Sequence, residues 1–457
     1  MTTLSPKPKK RFPSLYFIPV ILIPILVGLA YYLFFESEQP VIELSMSNEF
    51  IGVQKALSLK AEDQKSGIKS VSLTITQNDK SHVLFEERVQ RTGYTGTVGK
   101  PIVEKDIVLS PAELKLTDGE ATLTLEVLDF SARSYLKGNN SKITRTVTID
   151  TKPPKIRIIH SERYINPGGT GIVIYRLDDL EATSGLIVND HYHPGFVVGD
   201  GRDDIFIAYF GLPYDTESIT TSIVQAQDQA GNKTTLPFSS IFKKKTYRQD
   251  RINVGNSFLQ KKVPEFEQYY PEMSGDLVDK YLFTNNEVRT RNNAQIKELC
   301  GSPHPSRLWE KRFLRMAGQS RAGYADKRTY YYGNKAIDRQ VHLGIDIAST
   351  KNAEVKAAAA GIVTFADYLG IYGNMVMLDH GQGVFSLYSH LSQINVAISD
   401  QIESGVVLGR TGTSGMAGGD HLHFSVLING VFVNPLEWWD QNWINVTIED
   451  PLTESKF

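Results

Sequence analysis

Five side chains able to hold a metal or relay a proton fall between His342 and Phe424. They are His342 and Asp346 in His342-Leu343-Gly344-Ile345-Asp346, His390 in Tyr388-Ser389-His390-Leu391, and His421 and His423 in His421-Leu422-His423-Phe424. In a strand, residues i and i+2 share a face roughly 6–7 Å apart. His421 and His423 therefore point the same way, too far apart for an unstrained chelate by both but suited to one ligand and one neighbour facing a substrate. His342 and Asp346 would lie roughly 13 Å apart if extended, whereas ligands sit about 2 Å from a zinc ion. The backbone must bend between them, and Gly344 tolerates a bend. Two histidines and one carboxylate leave a fourth position open for water, the arrangement of a catalytic rather than a structural zinc site. No cysteine cluster competes for the metal. Cys300 is the only cysteine, which excludes an intramolecular disulfide and reads as a small, partly buried apolar residue.

An ordered set of motifs surrounds these residues: Ala359-Ala360-Gly361, Tyr372-Gly373-Asn374, His380-Gly381, Gly412-Thr413-Ser414-Gly415 and Asn434-Pro435. Together with the three histidine motifs, the set resembles the lysostaphin/LytM-type zinc metallopeptidases, the M23 family, which cut peptide bonds in bacterial peptidoglycan. The resemblance covers about 340 to 437. It implies one zinc ion held by His342, Asp346 and His423, with His390 and His421 lining the open side to handle protons and the developing oxyanion. The chain departs from the family's pattern in three places. It has Asn352-Ala353-Glu354-Val355 where Gly-Thr-Pro-Val is frequent, Asp420 where Pro is common, and Ser425 where Glu or Gln is common. None removes a ligand, and all leave the groove's substrate preference open.

The elements that must position this chemistry belong to a chain of 457 residues, 41% hydrophobic and 22% charged, about three domains' worth of globular protein. The net charge of −2 argues against nucleic acid as the main partner. Leu15 to Phe35 is an apolar run of 21 residues preceded by Lys7, Lys9, Lys10 and Arg11. It reads as an uncleaved transmembrane helix over 15–35, since a signal peptide has a shorter apolar core ending in small residues. The basic flank puts residues 1–14 in the cytoplasm. The expected location is the inner (cytoplasmic) membrane, single-pass, with the catalytic domain in the periplasm.

Residues 40–246 alternate in short apolar runs such as Val71, Leu73, Ile75 and Leu123, Leu125, Val127, separated by Gly, Asn, Asp and Pro turns. That predicts β-sandwiches. Ser66-Gly67 recurs as Ser184-Gly185, and Asp129 as Asp228, around the linker Asp150-Thr151-Lys152-Pro153-Pro154. These features resemble tandem bacterial immunoglobulin-like modules, over 40–150 and 151–246. Residues 247–318 read as a helical linker, with a capping box at Thr284-x-x-Glu287 opening a helix that runs to Cys300. Residues 319–440 read as the catalytic domain, a glycine-rich antiparallel sheet whose edge Trp438 and Trp439 close; Lys327–Tyr332 resembles the family's segment before the first zinc ligand, which implies that it helps wall the groove. Residues 441–457 read as a loosely packed tail. His191-Tyr192-His193 repeats the i, i+2 spacing but lacks a companion motif, and reads as a surface turn. The fold class is mainly β.

The expected function is a membrane-anchored zinc metalloendopeptidase acting on peptidoglycan stem peptides or cross-bridges. Its partners would be peptidoglycan, the cytoplasmic membrane through 15–35, and cell-wall or division proteins through the sandwiches. Two other readings compete: a catalytically silent scaffold that activates another wall hydrolase, and adhesion through the sandwiches. A further expectation is that 248–340 restrains the enzyme, with Asn285, Asn286 and Glu287 as acceptors within reach of the fourth zinc position.

Overall fold

The computed structural model describes residues 17–199 and 201–455. The expected cytoplasmic residues 1–14 lie outside them. The first described element is the helix Phe17–Phe34, 18 residues with Pro24 inside it. At 1.5 Å per residue it is about 27 Å long, short of the roughly 30 Å hydrocarbon layer. Among the described residues no helix is long and apolar enough to cross a membrane. The absence of such a helix among the described residues corrects the transmembrane helix over 15–35, the single-pass topology and the inner-membrane and periplasmic placement.

The chain divides into two compact units, 1–153 with 229–232, and 154–228 with 233–457. The first is built from two sheets. One orders Val41–Ser45, Lys55–Glu62 and Ile102–Leu109; the other orders Phe50–Ile51, Asn140–Ile149, Gly119–Asp129, Ile68–Gln77 and Lys80–Arg88. Strict alternation drives this arrangement. In Lys55–Glu62 the residues Leu57, Leu59 and Ala61 are buried while Ala56, Ser58 and Lys60 are exposed. They meet Val71, Leu73, Ile75, Leu123, Leu125 and Val127 of the other sheet in one core, as period-2 patterning requires.

The second unit begins with two four-stranded sheets. One orders Phe196–Gly199, Arg202–Gly211, Thr170–Leu177 and Ile156–Ser161; the other orders His191–Pro194, Thr183–Val188, Ser222–Gln227 and Lys233–Pro237. Thr170–Leu177 is buried on both faces. Val173, Tyr175 and Leu177 enter the core between these two sheets. Ile172 and Ile174 face the other way, into a core shared with Ile345, Phe424, Trp438 and Trp439. The run Ile172-Val173-Ile174-Tyr175 is therefore not a one-sided strand but a doubly covered one.

The largest sheet of the second unit orders Gln319–Ala322, Ile345–Ala348, Leu422–Ile428, Val384–Ile394, Gly373–Asp379, Gly361–Leu369 and Gln401–Ile402 along its main path, antiparallel throughout. Its second face is covered by the upstream segment, whose Leu259, Val263, Phe266 and Ile296 pack on Met375, Phe385 and Leu427. That segment is not purely helical. It starts with the strand Gln249–Asn253, parallel to Lys327–Tyr332, followed by the helix Asn256–Glu267. The capping box lies at Asp276, not Thr284. Asp276 accepts from the Val278 and Asp279 amides and the Asp279 side chain accepts from the Asp276 amide. Thr284 sits inside the continuing helical run, its hydroxyl donating to the Lys280 carbonyl at 2.9 Å.

The expected loose tail also needs correction. Residues 441–454 are helical, and Ile444 and Ile448, four apart on one helical face, are fully buried beside Trp438. Ile448→Ala should cost about 2–5 kcal/mol of stability, read as a lower urea midpoint. A loss below about 0.5 kcal/mol would mean that this segment does not belong to the core.

His191–Pro194 is a strand rather than a turn. His193 is buried, its Nδ1 accepting from the Asn429 amide at 3.2 Å, and burial pushes its pKa down to about 3. His380, between the Ala360 carbonyl and the Ser386 hydroxyl, is pushed down to about 4 by burial. Both folded values lie below the unfolded value of about 6.5, so the unfolded chain takes up protons first as pH falls. Stability should be fully present above about pH 6.5 and lost progressively towards pH 4. A urea midpoint level between pH 7 and pH 5 would contradict this.

Candidate metal centre

Asp346 and His423 stand directly opposite one another on the neighbouring strands Ile345–Ala348 and Leu422–Ile428, so their side chains share a face. His342 arrives from the strand Lys335–Val341, immediately before Leu343-Gly344. Gly344 serves close approach here. A Cβ on it would lie 2.5 Å from Ser425 Oγ and 2.7 Å from the His423 ring. Any other residue would push His342 off His423.

Three atoms converge. His342 Nε2 lies 2.8 Å from Asp346 Oδ1 and 2.9 Å from His423 Nδ1, and His423 Nδ1 lies 3.0 Å from Asp346 Oδ1. The outer hydrogen bonds decide what these atoms are. His342 Nδ1 donates to the Gly323 carbonyl at 2.8 Å, so its Nε2 is a lone pair. Ser425 Oγ spends its proton on the Leu343 carbonyl at 2.8 Å and can only accept from His423 Nε2–H at 3.0 Å, so His423 Nδ1 is also a lone pair. Burial pushes the His423 pKa down to about 4, which favours the neutral ring. Asp346, whose Oδ2 accepts from the Arg328 guanidinium at 3.0 Å, supplies the carboxylate of the group. Three acceptors thus face one another with no proton to share, an arrangement that a cation between them resolves. The ligand atoms of this group all lie within 4.8 Å of one another and could hold a metal ion.

Arg328 completes Asp346 from behind, donating from Nη2 to Oδ2 at 3.0 Å. On the open side His390 and His421 lie ring against ring, 4.9 Å between centroids. His390 donates from Nδ1 to the Ser414 carbonyl at 2.9 Å, which leaves its Nε2 for a ligand or substrate; His421 donates from Nδ1 to the Gly419 carbonyl at 2.7 Å and turns its Nε2 towards Asp346 Oδ1, 3.5 Å away. His390 adopts φ +63°, a conformation rare without glycine, and the strain is held by its surroundings. The Thr413–Gly415 loop that bears its acceptor is gripped from the helix Asn256–Glu267. Lys262 Nζ donates to the Thr413 carbonyl and the Gly415 amide donates to Glu265 Oε1 at 2.5 Å.

These groups line one cleft of about 290 Å³, to which Ile252, Val254, Phe258, Tyr281, Arg289, Tyr330 and Tyr372 also contribute. The structure brings His342, Asp346, His390, His421 and His423 to one cleft; the sequence reading placed Lys327–Tyr332 on its wall without singling out Arg328, and missed Arg289, Lys262 and Glu265. Arg328 and Tyr330 had a signal, being i, i+2 in a strand and so on one face. Asn285, Asn286 and Glu287 do not reach the site. The two asparagine amides bond Asp338 at 2.6 and 3.1 Å and Glu287 pairs with Arg291.

Ser425 is the outer partner that fixes the His423 tautomer. Ser425→Ala should weaken metal binding about 10–100-fold, measured by competition with a chromophoric chelator. Unchanged affinity would show that the tautomer needs no such support.

Residues 340–435 match the family model described as peptidase family M23. The chain is 42% identical over 97 residues to the DD-carboxypeptidase/endopeptidase Mpg of Neisseria meningitidis serogroup B, covering 21% of this chain and 22% of that one. It is 37% identical over 107 residues to the murein hydrolase activator EnvC of Escherichia coli K12, covering 23% and 26%. The chain thus spans about a fifth to a quarter of the length of these relatives. Among solved structures, a putative peptidase M23 from Pseudomonas aeruginosa is similar at 22% identity and a TM-score of 0.39, over 60% of this chain and 94% of that one.

Proposed function

From a C-terminal peptidase M23 domain as premise, we propose that this protein is a zinc metalloendopeptidase that hydrolyses peptide bonds of peptidoglycan stem peptides or cross-bridges. One observation carries the reading: the acceptor atoms of His342, Asp346 and His423 converge within 3.0 Å with every proton turned outward. Two neutral imidazoles and a carboxylate are a donor set that suits zinc and leaves a position open. Zinc held there supplies Lewis-acid polarisation of the scissile carbonyl and a more acidic bound water.

The chain's own residues supply the rest. His390, with its Nε2 free, and His421, with its Nε2 3.5 Å from Asp346 Oδ1, flank the open position, one to take the water's proton and one to steady the oxyanion. Arg328 orients Asp346, and Ser425 orients His423. Tyr372, its ring 5.8 Å from that of His423, closes one wall against water.

The sandwiches at 40–150 and 151–246 are read as immunoglobulin-like modules that meet cell-wall proteins. Their strand order supports this. In the first, Phe50–Ile51 runs parallel to Asn140–Ile149, and Ile68–Gln77 pairs with both Gly119–Asp129 and Lys80–Arg88, as in an immunoglobulin sheet.

The second reading, a non-catalytic activator of another wall hydrolase, draws support from the likeness to an activator of Escherichia coli. Digestion of purified peptidoglycan by the full chain, with and without a chelator, separates the two. Chelator-sensitive release of fragments with new amino termini, identified by mass, supports the peptidase. No fragments from the zinc-loaded chain, together with stimulation of a second hydrolase, would establish the activator instead.

A further inference from the structure

The loop behind His390 is held by a segment that precedes the matched domain. Thr413, Ser414 and Gly415 each give one backbone group to a side chain. Lys262 Nζ donates to the Thr413 carbonyl, His390 Nδ1 donates to the Ser414 carbonyl at 2.9 Å, and the Gly415 amide donates to Glu265 Oε1 at 2.5 Å. Lys262 and Glu265 thus grip the loop on either side of the carbonyl that sets the His390 tautomer. They stand three apart on one face of the helix Asn256–Glu267, and Lys262 Nζ also donates to Glu265 Oε2 at 3.1 Å. Both lie outside 340–435, the residues that match peptidase family M23.

A buried ion pair is a poor source of stability. Lys262 is 3% exposed, and apolar side chains of similar volume are usually as stable or more so. The helix already packs through Leu259, Val263 and Phe266. What an apolar residue at 262 could not do is hold a loop carbonyl. Ser414 itself is fixed from other sides. Its Oγ accepts from the Asn374 amide at 2.9 Å and donates to the Leu391 carbonyl at 2.8 Å, and a Cβ on Gly373 would lie 2.4 Å from its carbonyl carbon. His390 needs such support, because its φ of +63° persists only where the surroundings impose it.

We infer that Lys262 and Glu265 are positioning residues for His390. By fixing the Thr413–Gly415 loop they keep the Ser414 carbonyl on Nδ1–H, and so keep the Nε2 lone pair towards the open position. The inference rests on the reading of His390 as a proton-handling group. The upstream helix thereby serves turnover through a loop of the matched domain.

The test compares the full zinc-loaded chain with Lys262→Met, which keeps the buried stem and removes the donor. On soluble peptidoglycan fragments kcat should fall by about 10–100-fold, the scale of a displacement of about 1 Å. KM and zinc content should stay unchanged, as when only transition-state contacts are lost. The second readout is the ring-nitrogen NMR spectrum, with the His390 signals identified by their absence in His390→Ala. The parent chain should show Nδ1–H and a bare Nε2 on His390, and Lys262→Met a mixture of tautomers. Lys280→Met, which removes an ion pair to Glu267 of the same helix, should change neither readout. If Lys262→Met does not fold, Glu265→Ala takes its place, and Glu265→Gln, which keeps Oε1 for the Gly415 amide, should restore most of both readouts. An unchanged kcat and spectrum would overturn the inference and leave the peptidase reading standing. A fall in kcat with the His390 spectrum unchanged, or an equal fall in Lys280→Met, would show a merely structural role and overturn it too. A parent chain that cleaves nothing, yet loses its single His390 tautomer in Lys262→Met, would uphold the grip and sink the peptidase reading.

Discussion

Asp346→Ala is expected to bring bound zinc from one ion per chain to near none by elemental analysis, and turnover to background with it. Asp346 is the hub of the site. Oδ1 lies within 3.0 Å of both His342 Nε2 and His423 Nδ1, while Oδ2 accepts from Arg328. Its removal deletes one of three ligands and leaves the buried Arg328 charge without its partner, which costs about 3–5 kcal/mol in comparable pairs. Two losses should thus appear together, metal content and thermal stability. Asp346→Asn keeps the shape and an acceptor oxygen but loses the charge, and should retain more stability than Asp346→Ala with little more metal. Full zinc occupancy in Asp346→Ala would falsify the ligand assignment.

His390→Ala should behave in the opposite way, keeping its zinc while kcat falls by about 10²–10⁴, the span of a positioned acid or base. Its ring is within 4.9 Å of His421 and 5.8 Å of His423 by centroid, yet its Nδ1 is committed to the Ser414 carbonyl, outside the trio. Alanine at φ +63° keeps the same unfavourable backbone as histidine and removes only the ring, so the fold should persist. Loss of zinc along with activity would make His390 a ligand, and the open position would have to be sought elsewhere.

The chemistry was more legible in the chain than its support. His342, Asp346, His390, His421 and His423 could be picked out because each lies in a short motif whose spacing is local. The alternation of Leu57, Leu59 and Ala61 likewise announced a strand with one buried face, and it is one. Thr284-x-x-Glu287 had the residues of a cap but not the position. A capping box is chosen among competing candidates by where the chain can leave the helix, and Asp276 with Gly275 at φ +89° before it provides that exit. The apolar run at 15–35 showed composition, but the helix described within it, Phe17–Phe34, is not long and apolar enough to cross a membrane.

By itself the sequence determined the order of the candidate metal-binding and proton-handling residues, the mainly β character and the one-sided strands of the first unit, because these depend on neighbours two to four residues apart. The tertiary structure alone decided which nitrogen each histidine turns inward, since His423 is set through Ser425 by a carbonyl at Leu343, 82 residues from Ser425. It also decided that Ile172 and Ile174 share a core with Ile345 and Phe424 of the largest sheet, that helix residues Lys262 and Glu265 hold the loop behind His390, and that Arg289 joins Arg328 at the cleft. The reason is common to all of these. A side chain's period names the face it occupies, but what covers that face is fixed by packing between segments far apart in the chain.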